Sequence, residues 1–213
     1  MNTRRWFLTT VLALGGAPVL AVLPGLTAQQ LQEAYQGGVK LAKDPEGGYP
    51  LLPYTLYHTQ DSLLLEPANG DVDAVVVGTP FDRTRYQSFL AASGDETLTP
   101  AQARERARLP DGWVSVLIFA HGSKPADQEF LNGFTGVRLV LPGRTLLPGQ
   151  VQKSGTDLSQ YPHTPGEIGE RFVGTVTYLF HPSAAELRGS ATLNFNDPTG
   201  KSFTLPIQFS RYR

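Results

Sequence analysis

The chain has 213 residues, no cysteine, one methionine at position 1, and 18 basic against 19 acidic side chains. This balance leaves no electrostatic footprint for nucleic acid, and the missing thiols exclude disulfides, iron–sulfur clusters, thiolate zinc and blue-copper sites. A hydrophobic content of 40% at this length supports one substantial core rather than a disordered chain.

Residues 1–28 read as a signal peptide. Arg4-Arg5 precede an uncharged apolar run, Trp6 to Leu26, that ends in small residues. A positive head, an apolar middle and a small-residue tail mark a secretory leader that is removed from the mature protein. The stretch Thr3-Arg4-Arg5-Trp6-Phe7-Leu8-Thr9 resembles the bacterial twin-arginine export signal, Ser/Thr-Arg-Arg-x-Phe-Leu-Lys. Arg4, Arg5, Phe7 and Leu8 carry the match, and Thr9 stands where that signal prefers Lys. The resemblance implies export of an already folded protein to the periplasm, the cell envelope or the exterior. Ala21 and Ala28 are alternative cleavage positions. Retention as an N-terminal anchor is the other outcome, against which Gly15-Gly16, Pro18 and Pro24-Gly25 interrupt the run. No permanent membrane span is expected after cleavage.

Residues 29–60 form a separate N-terminal segment. Thr27-Ala28-Gln29-Gln30 has the spacing of a capping box, so a helix is expected to about Ala42, with Leu31, Ala34, Tyr35 and Leu41 near one face and Gly37-Gly38 weakening it. Residues 44–58 are rich in Pro, Gly and Tyr and read as extended or looping chain. Tyr49, Tyr54, Tyr57 and His58 offer flat rings that suit a glycan or peptide; packing as an edge strand is the alternative.

Residues 61–213 read as a β-sandwich domain. Ser62–Glu66 and Val72–Gly78 are expected strands joined through Ala68-Asn69-Gly70-Asp71, where Asn-Gly supplies a tight hairpin turn. Asp71 and Asp73 would form a solvated shoulder of that hairpin. Asp82 is placed to cap a helix over Arg83–Ala92 that stops at Gly94, and Thr99-Pro100 to start another reaching Arg108. These two short helices, inserted at about residues 82–108, should cover one side of the strand Trp113–Ala120, whose only polar residue is Ser115. Phe134–Leu141 should point Val137, Leu139 and Leu141 inward and Arg138 outward. Leu146–Lys153 is a weaker strand. Ser154–Glu170 reads as a long polar loop with Tyr161 and His163 at its centre, a second candidate binding region.

Period-two alternation is clearest at the end of the chain. Phe172, Gly174, Val176, Tyr178 and Phe180 form one face; so do Ala191, Leu193 and Phe195, and again Phe203, Leu205, Ile207 and Phe209. Pro206 places the last strand at a sheet edge or a bulge. About nine short strands argue for a mainly β, antiparallel sandwich. Thr164-Pro165-Gly166-Glu167, followed by Phe172–Pro182 and a final hairpin, resembles the immunoglobulin-like domains of secreted bacterial proteins. That resemblance implies adhesion, chaperoning or envelope contacts and no particular chemistry.

Catalytic sets are incomplete. Val116-Leu117-Ile118-Phe119-Ala120-His121-Gly122-Ser123 resembles the oxyanion-hole strand of α/β-hydrolases, but no Gly-x-Ser-x-Gly follows. Lys153-Ser154-Gly155 lacks the Ser-x-x-Lys that penicillin-binding enzymes need. His58, His121, His163 and His181 show no metal-ligand spacing. The expected function is therefore a non-enzymatic, exported module that needs no metal or cofactor. It would bind an envelope protein or a glycan through Tyr54, Tyr57, His58, Tyr161 and His163. The rivals are a serine hydrolase using the His121-Gly122 loop and a histidine-based metal-binding periplasmic protein.

Overall fold

The computed structural model describes Val22 and residues 25–44, 47–59, 71–164 and 167–213. The expected leader apart from its end, the strand Ser62–Glu66 and the turn at Asn69-Gly70 lie outside the described residues. In chain order the described elements are helix α1 (Ala28–Ala42), β1 (Thr55–His58), β2 (Val72–Gly78), α2 (Pro80–Ser93), α3 (Pro100–Arg106), β3 (Val114–His121), β4 (Thr135–Leu141), β5 (Arg144–Leu146), β6 (Gln150–Lys153), β7 (Asp157–Thr164), β8 (Glu167–Phe180), β9 (Ser190–Asn196) and β10 (Ser202–Gln208).

The fold is mainly β, with two antiparallel sheets. One runs β1-β2-β3-β8-β6 with β7 also paired to β8; the other runs β10-β9-β4-β5. Period-two alternation decides what lies between them. Val75 and Val77 of β2 are in register with Ile118 and Val116 of β3, which face Val176 and Tyr178 of β8. All six are buried. From the second sheet come Leu139, Leu193, Phe195, Phe203 and Ile207, buried in the same cluster. Phe195 and Phe203 lie directly opposite in the β9–β10 ladder, with rings stacked 4.7 Å apart. Arg138 is exposed beside Val137 and Leu139, as the alternation requires. β10 is an edge strand, so Pro206 removes no ladder bond that a further strand would need.

Three expectations are corrected. Residues 154–170 are not a polar loop: β7 and a 14-residue β8 form a ribbon on the edge that β6 occupies farther along. The strand expected over Phe172–Phe180 begins farther upstream, at Glu167, where it pairs β7. Leu146–Lys153 is two strands in different sheets, β5 pairing β4 and β6 pairing β8, because Leu147, Pro148 and Gly149 carry the chain from one layer to the other. The cap of α2 is Thr79, whose Oγ1 accepts from the Asp82 backbone N–H; Pro80 occupies the first turn and Asp82 is pulled into the interior.

The helices pack chiefly on one another. α1 begins with the expected capping box, Thr27 and Gln30 each bonding the other's backbone. Gly38, which costs helix propensity, is where α1 meets α2: a Cβ there would sit 2.2 Å from the Arg85 carbonyl oxygen and 2.8 Å from the Phe89 nitrogen. Arg213 fastens this pair to the sandwich, pairing with Glu33 and lying 4.6 Å from the Phe81 ring. The helices therefore cover only part of β3. Val114, Val116, Ile118 and Ala120 are buried in the core, whereas Leu117 and Phe119 on the outer face are half-buried.

Gly38→Ala should lower the thermal midpoint even though Ala is the better helix former by about 1 kcal/mol; the backbone of α2 cannot yield to the added methyl. Phe195→Ala should cost about 3–5 kcal/mol in chemical denaturation, while Asn194→Ala, on the opposite face, should cost far less.

Candidate functional site

The half-covered outer face of the six-stranded sheet carries the candidate site. Adjacent strands place Val76, Leu117 and Thr177 in one row and Phe119 and Thr175 in the next. The first turns of α2 and the Tyr49–Leu51 segment overhang these rows and close a recess of about 270 Å³. Its overhanging wall holds Tyr49, Arg83 and Tyr86.

A partly buried polar network holds that wall. Tyr49 donates its phenol to Asp82 Oδ1 at 2.5 Å, and Arg85 donates to Tyr49 Oη at 3.0 Å, to Asp82 Oδ1 at 3.2 Å and to Tyr54 Oη at 3.3 Å. Burial raises the Asp82 carboxyl above its ordinary pKa, against the opposing hydrogen bond from Tyr49 and the charge of Arg85. Burial also raises Tyr49 and Tyr54, and the neighbouring Asp82 adds to both. The Tyr49 ring meets Tyr86 edge-on at 4.9 Å. With its phenol and its ring both engaged, Tyr49 presents a fixed surface to the recess.

Arg83 differs from Arg85. Its stem crosses Gly78 at the end of β2, where a Cβ would lie 2.9 Å from Arg83 Cδ. Its guanidinium centre is 5.7 Å from the Tyr86 ring centroid. It makes no hydrogen bond or ion pair with a described residue. Burial lowers its pKa, partly offset by Asp82. A guanidinium with five donors and no acceptor, stripped of part of its water, is a preformed anion contact.

The residues singled out from sequence lie in several places. Tyr54 is buried, bonded to Arg85 and stacked 5.9 Å from Tyr212. Tyr57 is half-buried and meets Phe203 edge-on at 5.3 Å, across the two sheets. His58 is exposed on β1, and its Nδ1 lies 3.2 Å from the Thr59 carbonyl. Tyr161 and His163 fall on β7, with side chains outside the described residues. Among those whose side chains are described, Tyr54 joins Tyr49 in the network behind the recess. Arg83 and Tyr86 have no sequence signature beyond their i, i+3 spacing on a helix; their importance comes from Gly78 and from what the sheet places beneath them.

A second polar cluster lies at the far end of β2 and β3. His121 Nδ1 is 2.9 Å from Asp73 Oδ1. Asp71 is buried rather than solvated. Its backbone N–H donates to Asp197 Oδ2 at 3.0 Å, and its own Oδ2 is buried without a partner among the described residues. Asp197 is occupied by the 197–201 turn, accepting from Thr199 and Lys201. His181 stacks on Trp113 at 5.2 Å. No group of three or more His, Asp or Glu among the described residues is arranged to hold a metal ion.

No protein-family model, curated protein or solved structure matches this chain.

Burial pushes the Asp71 carboxyl from its ordinary 3.8 up to about 6, with Asp197, Asp127 and Asp73 adding to the rise and His121 opposing it. A raised carboxyl pKa favours folding only while the group is protonated. That contribution is complete below about pH 3.8 and is lost as the pH rises through about 6. Asp71→Asn, neutral throughout, should match the parent protein near the lower limit and exceed its thermal midpoint above the upper one. Calorimetry at both pH values checks this; an unchanged difference between them would mean that the carboxyl is not desolvated.

Proposed function

We propose that the protein is a non-enzymatic binding module of the bacterial envelope, exported by the twin-arginine route and built as an immunoglobulin-like sandwich. The observation that carries the binding part is the recess under α2, where an aromatic wall and a guanidinium without a hydrogen-bond partner among the described residues overhang the outer face of a sheet. An immunoglobulin-like reading is supported by two face-to-face antiparallel sheets and by the antiparallel β7–β8 ribbon. Both neighbours of β3 are antiparallel, whereas an oxyanion-hole strand of an α/β-hydrolase has parallel ones. The Asp73–His121 contact is the one feature that favours a hydrolase, since a carboxylate orienting a histidine is part of a nucleophile's activating set.

Val22 is buried in the main core cluster and Thr27 caps α1, which favours Ala21 over Ala28 as the cleavage position. Cleavage after Ala21 keeps both in the mature chain; cleavage after Ala28 discards both. Among the described residues no helix is long and apolar enough to cross a membrane.

The full chain, expressed in a bacterium with a working twin-arginine system, should reach the periplasm, and the Arg4→Lys/Arg5→Lys form should not. N-terminal sequencing of the exported protein should begin at Val22. Cytoplasmic retention of the unmodified chain would sink the export reading. Stoichiometric labelling of the purified protein by a fluorophosphonate would sink the non-enzymatic one.

A further inference from the structure

Resting on the binding-module reading, we infer that the recess under α2 takes an organic carboxylate with a compact apolar body, its carboxylate on Arg83 and its body over Leu117 and Phe119. The charge points to an anion. Asp82, next in sequence, is already engaged by Tyr49 and Arg85, so Arg83 keeps its hydrogen-bonding capacity while the Tyr86 ring steadies it. A carboxylate can accept two N–H groups from a guanidinium side by side.

The floor selects the rest of the ligand. Leu117, Phe119 and Val76 give it an apolar centre, with Thr175 and Thr177 hydroxyls on the β8 side. Inorganic phosphate would satisfy Arg83 yet leave the apolar floor uncovered. An acid with a phenyl or branched aliphatic body satisfies both. The volume of about 270 Å³ lies just below the range of about 300–1,000 Å³ for drug-sized ligands, so the body is small. A free organic acid and the C-terminal carboxylate of a peptide ending in an apolar residue share this chemistry.

Calorimetric titration of the purified full-length chain tests it. The probes are phenylacetate, phenylacetamide, inorganic phosphate, and the tripeptide Ala-Ala-Phe as free acid and as C-terminal amide. Phenylacetate should bind at least about tenfold more tightly than its amide, as expected for loss of a charge-assisted hydrogen bond, and more tightly than phosphate. Arg83→Gln should remove that preference, while Arg83→Lys should retain part of it. Phe119→Ser should weaken phenylacetate but leave phosphate unchanged. Should Arg83→Gln fail to fold, the acid-over-amide ratio and Phe119→Ser still decide. Stronger binding of the tripeptide acid than of phenylacetate assigns the site to peptide C-termini, and the reverse order assigns it to free acids; either supports the inference. Equal binding of acid and amide, or an Arg83→Gln protein as selective as the parent, overturns the carboxylate assignment and leaves a neutral-ligand module standing. Absence of binding by every apolar probe, acid or amide, overturns both.

Discussion

Burial of two sheet faces against each other is the constraint from which the rest of this structure follows. Val75, Val77, Val116, Ile118, Val176 and Tyr178 on one side, and Leu139, Leu193, Phe195, Phe203 and Ile207 on the other, form one continuous apolar cluster. Each such side chain contributes about 1.5–3 kcal/mol relative to exposure. No disulfide supplements that burial, since the chain has no cysteine. Polar and charged groups are thereby driven to the rim and the outer faces. At the rim, Asp197 in the β9–β10 turn accepts the Asp71 backbone N–H just before β2, and Tyr57 on β1 reaches Phe203 on β10. These two contacts tie the layers together at their margins.

The outer face of the larger sheet follows a different rule. α2 rests over its Gly78 end, and the Tyr49–Tyr54 segment is pinned to α2 by Asp82 and Arg85. A buried pair of this kind is weak evidence for net stability, because desolvation offsets much of the attraction. Its clearer consequence is orientation. With the Tyr49 hydroxyl and Asp82 Oδ1 both engaged, the wall of the recess is held in place. Arg83, one residue along the helix, lies 5.7 Å from the Tyr86 ring centroid and makes no hydrogen bond or ion pair with a described residue. Arg85 makes three hydrogen bonds, and Arg83, two residues earlier, makes none with a described residue; that contrast gives the recess its chemical character.

The layering also accounts for the asymmetry of β3. Its even-numbered residues lie in the core, while Leu117 and Phe119 face a surface that the helices reach only partly. An apolar floor left half-open beside a cation is a different object from a core face awaiting a partner sheet. The floor is too small for another layer and is bounded by Thr175 and Thr177.

How much of this was legible beforehand depends on the range of each interaction. The valine-rich run Val72–Gly78, the alternation in Phe134–Leu141, Phe172–Phe180, Ala191–Phe195 and Phe203–Phe209, and the caps at Thr27 and Thr99 are local properties. Side-chain direction and hydrogen-bond supply within a few residues settle them, so the strands, the helix starts and the sandwich class could be read directly. The capping of α2 by Thr79 was also local, but Asp82 competed for the role until burial claimed it. The β7 strand was hidden because its partner, not its own pattern, makes it a strand. The division of Leu146–Lys153 between two sheets, the close approach at Gly38 and the isolation of Arg83 depend on residues tens of positions apart meeting in space. The amino-acid order thus determined which segments are strands and which faces are apolar, because those follow from period and propensity. Only the tertiary structure decided that Arg83 would have no hydrogen-bond partner among the described residues, because that is settled by what the packed layers bring alongside it.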